Sequence, residues 1–150
     1  MESEIDVGRL ITGLGVAWRH LREATEEAAR RRGLSWVEYR VLLTCRDLCD
    51  DGEPPTLQVL AGELTGHRDV SRLTQALGQM GYVHRRADPA DRRRTVIAMA
   101  PRGEEVLASI SDEVARRSPD RVHLARRHLW RMASWAGEAR KEKTTGDDPA

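Results

Sequence analysis

The chain has 150 residues, 39% hydrophobic and 33% charged, enough apolar material for a core and too much for a disordered chain. No apolar run approaches the ~18 residues of a membrane span, and the Met1-Glu2-Ser3-Glu4 start is acidic where a secretory signal is basic. Two cysteines cannot build a disulfide framework, so the expected compartment is a reducing cytoplasm.

Residues 4–32 read as one helix, with Ile5, Leu10, Leu14, Trp18 and Leu21 at helical spacing and Val7 and Ile11 beside them. Gly8, Gly13 and Gly15 weaken its start by roughly 1 kcal/mol each relative to alanine, and Gly33 stops it. Ser35 and Glu38 form a capping box for a second helix, Trp36 to about Cys49, with Leu42, Cys45, Leu48 and Cys49 as its apolar stripe. Residues 50–55 are a Pro-containing loop. Thr56 is the N-cap candidate for a short helix over Leu57–Leu64, and Thr65-Gly66-His67 make a turn. A second short helix runs from Arg68 to Met80, with Val70, Leu73, Leu77 and Met80 inward and Gly81 as its C-cap.

The period then changes from 3.6 to 2. Tyr82–Arg86 reads as a strand, Asp88-Pro89-Ala90-Asp91 as a turn, and Arg94–Met99 as the returning strand. Pro101 suits the first position of a helix that runs to about Arg117, and Ser118-Pro119-Asp120 interrupts it. A last helix from Arg121 to about Arg140 holds Leu129, Trp130, Met132 and Trp135, and the polar tail 141–150 is expected to be disordered.

The net charge of +1 conceals a local imbalance. Residues 68–94 hold seven arginines against three acids, which points to an anionic partner for that segment. Arginine outnumbers lysine 23 to 2 in the whole chain, a bias a GC-rich genome also produces, so the weight rests on the clustering.

Two short helices joined by a tight turn and followed by a basic hairpin is the order of a winged helix-turn-helix. The fold class is mainly α with a small β-hairpin wing. The second short helix keeps an apolar back and turns Arg68, Asp69, Ser71, Arg72 and Gln75 to a DNA major groove, where Arg reads guanine and Gln reads adenine. Arg92, Arg93 and Arg94 on the hairpin suit an adjacent minor groove. Thr56 joins the candidate DNA contacts, and double-stranded DNA is the expected partner.

The residues Leu34-Ser35-Trp36-Val37-Glu38-Tyr39-Arg40-Val41-Leu42, Leu60-Ala61-Gly62-Glu63-Leu64, Val70-Ser71-Arg72-Leu73, Leu77 through Arg85, and Asp88-Pro89-Ala90-Asp91-Arg92-Arg93 resemble the MarR family of transcription regulators. The resemblance spans about Ser35 to Gly103. It implies a homodimer on inverted-repeat operators and a wing ion pair between Asp91 and Arg93. It divides the chain into an N-terminal dimerisation helix (1–34), a winged DNA-binding domain (35–100), C-terminal dimerisation helices (101–140) and a tail (141–150). Relatives bind aromatic or phenolic anions, which makes Trp18, Arg22, Trp36, Tyr39 and Arg40 the candidate effector residues and a ligand-released repressor the expected role.

Two departures stand out. Met99-Ala100 replaces the family's Leu-Thr, which removes a side-chain cap and weakens the next helix start by roughly 1 kcal/mol. The family's last helices are not recognisable beyond about Ser118. Cys45 and Cys49 lie in an apolar stripe, which argues against a redox role. The five histidines form no readable ligand cluster, and no nucleophile motif or phosphate loop appears, so neither a metal, a cofactor nor an enzyme is expected. The competing readings are a cysteine- or metal-responsive regulator and a DNA-independent protein-interaction module on the same fold.

Overall fold

The computed structural model describes residues 7–50, 52–64 and 69–144, except for the side chains of Val7, Leu10 and residues 135–144, Trp135 among them. Its elements in chain order are α1 (Val7–Arg30), α2 (Trp36–Asp50), α3 (Leu57–Glu63), α4 (Val70–Gln79), β1 (Val83–Ala87), β2 (Thr95–Met99), α5 (Pro101–Arg117) and α6 (Pro119–Thr144). No described helix is long and apolar enough to cross a membrane.

Local chemistry explains most of the boundaries. The Leu34 N–H donates to the Ala29 carbonyl (3.1 Å) across Gly33, whose φ of 74° belongs to glycine. Gly81, at φ 78°, ends α4 in the same way, with Tyr82 N donating to Leu77 O at 2.9 Å. That cap occupies Tyr82, so β1 begins one residue later than the alternation suggests. The Ser35–Glu38 box forms in both directions, Glu38 N donating to Ser35 Oγ (3.2 Å) and Ser35 N to Glu38 Oε2 (2.8 Å).

Three further boundaries correct the sequence reading. Helix α4 starts at Val70 rather than Arg68, with Asp69 as an N-cap that makes no side-chain capping bond. Arg68, the 65–67 turn and Ile5 lie outside the described residues. Helix α6 starts at Pro119, because proline fits the first turn and the Ser118 carbonyl accepts from Val122 N at 3.1 Å. It continues through Lys141 to Thr144, into the segment expected to be a disordered tail.

The chain divides into two compact units. The winged unit comprises the described residues of 26–113. Its centre is the inner face of α2, where Val41, Leu42 and Cys45 are fully buried. Helices α3 and α4 and strand β2 pack on α2, burying Leu60, Leu64, Thr74, Leu77 and Ile97 completely. The hairpin is antiparallel, with Arg85 opposite Ile97 and Ala87 opposite Thr95. A bridge from Thr56 to Val96, and an Ile97 N–H donated to Pro55 O (2.9 Å), tie the start of α3 to the wing.

The start of α5 is held by backbone rather than by a side-chain cap. Ala100 N donates to Tyr82 O (3.0 Å), and Ala100 O accepts from the N–H groups of Gly103 and Glu104. A Cβ on Gly103 would lie 2.2 Å from Tyr82 O, so only glycine permits this approach. Further along α5, Glu113 accepts hydrogen bonds from Arg32 (2.5 Å) and Arg31, just past the end of α1. Arg32 also reaches Ser109 Oγ at 2.7 Å.

The helical unit comprises the described residues of 1–25 and 114–150. Gly13 on α1 meets Met132 on α6, where a Cβ would sit 3.0 Å from the sulfur. Arg121 pairs with Glu23 at 3.0 Å. Ile11, Leu14, Trp18 and Leu129 are at least 44% exposed, and Trp130 is 69% exposed.

Gly103→Ala is expected to destabilise the winged unit by about 1–3 kcal/mol through overpacking at backbone, read as a lower denaturant midpoint, while Gly52→Ala, with open space around it, has little effect. A second expectation concerns acid. The hydrogen bonds from Arg32 and then Arg31 hold the Glu113 carboxyl below the usual range. The unfolded chain therefore takes up that proton first, and the stabilisation is present above ~4.3 and lost as pH falls through the lowered folded value. Glu113→Gln should flatten that acid-side loss in urea titrations; an unchanged slope contradicts it.

Candidate nucleic-acid interface

Helix α4 has two faces. Val70, Thr74 and Leu77 are buried against the unit, while Ser71, Arg72 and Gln75 are exposed. The Arg72 side chain is 83% exposed and its nearest carboxylate, Asp69, is 3.9 Å away, too loose to hold it. A polar front of this width on a back fixed by burial is what major-groove reading requires.

The wing loop is ordered by its own aspartates. Asp88 Oδ1 accepts from Ala90 N (2.9 Å), and Asp91 Oδ1 accepts from Arg93 N (3.0 Å). Asp88 N closes the ladder onto Arg94 O at 2.9 Å. The expected Asp91–Arg93 ion pair is corrected here. The Asp91 carboxylate takes the Arg93 backbone N–H, and its ion pair is with Arg94 Nε at 3.5 Å. The N–H is two residues on and geometrically fixed, whereas the Arg93 side chain is exposed. Arg92, Arg93 and Arg94 are all exposed.

A groove of about 400 Å³ lies within the winged unit, bordered by Thr56 and Gln58 from α3 and its cap, Ser71 from α4, and Arg93 and Arg94 from the wing. It brings together five expected or neighbouring contact residues from three separate stretches of sequence. Thr56 has a second duty, since its Oγ1 accepts from Val59 N (3.3 Å) and caps α3. Arg68 cannot be placed, lying outside the described residues.

One residue escaped the sequence reading beyond its positive charge. Arg85 Nη1 donates to Ser71 O at 2.6 Å and to Thr74 Oγ1 at 2.9 Å. The signal was the strand's alternation, which puts Arg85 on the same side as buried Val83.

The candidate effector residues fall into two groups, one in each unit. In the helical unit the Arg22 guanidinium carbon is 5.9 Å from the Trp18 ring centre. In the winged unit Trp36 and Tyr39 stack with centres 5.6 Å apart, and Arg40 is half-buried on the same helix. Burial pushes the Tyr39 phenol up, with Arg46 opposing. Among the described residues no group of three histidines, cysteines or acids could hold a metal.

Cys45 is fully buried and donates to Ile97 O at 3.7 Å. Burial, with the neighbouring Cys49 thiol, pushes it up to about 12. A thiolate is the reactive form, so Cys45 is chemically quiet in the folded chain. A thiol reagent at pH 8 is expected to label Cys49 first and Cys45 only on unfolding; equal labelling in the native protein contradicts this.

No protein-family sequence model matches the chain, and no curated protein sequence matches it. Solved structures do. Wild-type MarR from E. coli, in its apo form, aligns with a TM-score of 0.62 at 20% identity, covering 79% of this chain and 83% of that one. Overoxidized AbfR bound to DNA aligns at 0.55 and 19% identity over 85% and 92% of the two chains. CouR from Rhodococcus jostii RHA1, bound to p-coumaroyl-CoA, aligns at 0.50 and 27% identity over 75% and 78%. Six helices and a two-stranded hairpin in this order define a winged helix-turn-helix protein. The chain has the MarR-family fold.

Proposed function

We propose that the chain is a sequence-specific DNA-binding transcriptional regulator, acting as a homodimer on inverted-repeat sites. The observation that carries this reading is the groove where Ser71 of the α4 front meets Arg93 and Arg94 of the wing within one compact unit. Arg72 and Gln75 supply the base-edge chemistry, and Arg93, with its backbone pinned by Asp91 and its guanidinium exposed, supplies the minor-groove probe. A single-residue mutant of MarR from E. coli is described in complex with operator DNA, and AbfR bound to DNA, which supports the same use of this fold.

The dimer reading rests on the helical unit. Five large apolar side chains there, Trp18 and Trp130 among them, are exposed in the single chain, and a second copy is the partner that covers such faces symmetrically. Segments 1–34 and 101–140 are the proposed dimerisation regions around the winged domain 35–100. The repressor role and release by an aromatic or phenolic ligand belong to the same proposal. The Trp18–Arg22 pair, and the stacked Trp36 and Tyr39 with Arg40 nearby, have the chemistry for an aromatic anion. CouR, a structural neighbour, is described bound to p-coumaroyl-CoA, whose acyl group is phenolic.

The test begins with selection of duplexes from a random pool by the purified protein, with its mass followed by light scattering. The expected result is a dimer that enriches an inverted repeat with half-sites about one helical turn apart. Arg72→Ala or Gln75→Ala should then cost about 1–3 kcal/mol per half-site and relax preference at one position. Arg93→Ala should weaken binding and reduce the salt slope by about one, while Arg93→Lys keeps the slope and loses A·T preference beside the half-site. A monomer overturns the dimer, and no binding at low salt overturns the regulator.

A further inference from the structure

We propose that Arg85 is a positioning residue for DNA reading, a strap that sets the α4 front against the wing so that both meet one duplex in register. The proposal rests on the DNA-binding reading above and adds what holds its two reading elements together.

Strand β1 alternates, with Val83 buried, His84 exposed and Arg85 half-buried. Arg85 therefore lies on the inward side, paired across the ladder with fully buried Ile97. A guanidinium on that side needs acceptors, and α4 provides them. Nη1 donates to Ser71 O (2.6 Å) and to Thr74 Oγ1 (2.9 Å), while the Thr74 hydroxyl itself donates to Ser71 O (3.0 Å). The three groups form a closed triangle. Thr74 is completely buried, so one corner of the triangle cannot move without opening the core.

The stem of Arg85 uses the same helix. A Cβ on Gly78 would lie 4.0 Å from Arg85 Cδ, so the side chain passes that glycine before reaching the first turn. Positions 71, 74 and 78 share one stripe of α4. The strap thus runs along the helix from its last turn to its first, and it ends on the carbonyl of Ser71, whose neighbour Arg72 opens the exposed front. The other end is covalently the wing strand that leads to Arg93. A planar guanidinium meets two fixed acceptors at once; a lysine ammonium, more strongly hydrated and on a flexible stem, holds such a geometry less well.

This placement separates positioning from two simpler roles. A phosphate contact needs the guanidinium aimed at the duplex, whereas Nη1 is bound along the side of α4. A purely stabilising contact predicts a loss of folding energy with no change in discrimination.

The test uses the full chain and a duplex selected by the wild type, with an unrelated duplex as reference, over a salt series. Arg85→Lys and Arg85→Met are both expected to lower the ratio of selected to unrelated binding by about tenfold or more. Arg85→Lys should leave the salt slope within about half a unit of wild type. Thr74→Val should lower the ratio in the wild-type background and add nothing in the Arg85→Lys background, because both remove the same triangle. Wild-type discrimination by Arg85→Lys overturns the proposal, as does a lowered melting temperature with an unchanged ratio. An equal loss on both duplexes with a slope reduced by about one in Arg85→Met assigns a phosphate contact instead. If Arg85→Met does not fold, the lysine and Thr74 variants decide alone. A wild type that selects no duplex fails the regulator reading itself, a result distinct from each of these.

Discussion

The winged unit depends on one constraint, that the inner face of α2 be covered on every side. Val41, Leu42 and Cys45 are fully buried, and they are reached by α3, α4 and β2 together. Burying such side chains is worth roughly 1.5–3 kcal/mol each, so none of the three covering elements can lift away alone. Because α4 and β2 rest on the same helix, the exposed front of α4 and the wing inherit a common reference. The Cys45 thiol adds a polar link, donating to the Ile97 carbonyl in the strand beside it. It packs as a small hydrophobe with a weak donor, in keeping with its place in the apolar stripe.

The arginines divide into two populations. Arg31, Arg32 and Arg85 are engaged inside the winged unit, by Glu113, Ser109, Ser71 and Thr74. Arg72, Arg92, Arg93 and Arg94 lie exposed on α4 and the wing. The first population uses the guanidinium to satisfy several acceptors, and the second, apart from the Arg94–Asp91 pair and the loose Arg72–Asp69 contact, faces outward. Composition alone could not separate these uses, because both look like the same surplus of one residue type.

Much of the fold was legible because it is written in local rules. The capping box at Ser35, the caps at Gly33 and Gly81, and the change of period at Tyr82 each act over a few residues, and each element they imply is present. The misses include one helix end and contacts that a distant group decides. Helix α6 passes the polar stretch at Lys141, where composition suggested disorder. The missing threonine cap at Ala100 proved less telling than Gly103, whose need for glycine comes from a carbonyl 21 positions upstream in sequence. In the site, the α4 front and the wing arginines were readable from pattern, but the Arg85 triangle and the preference of Asp91 for Arg94 were not. The triangle requires the register between strand and helix, which no single segment specifies, and the aspartate's choice between two arginines in one loop turns on the turn's own geometry.

The two aspartate turns in the wing have a thermodynamic consequence. Fixing one backbone residue costs roughly 1–2 kcal/mol of conformational entropy. In this loop Asp88 and Asp91 bind the backbone N–H groups of Ala90 and Arg93, and Arg94 N closes on Asp91 O at 2.9 Å. That ordering cost is met during folding. When the wing meets a surface, what remains to be immobilised is chiefly the arginine side chains, not the chain that carries them. The tip therefore behaves as a rigid mount for mobile guanidinium groups, and association should be limited by side-chain adjustment rather than by loop closure.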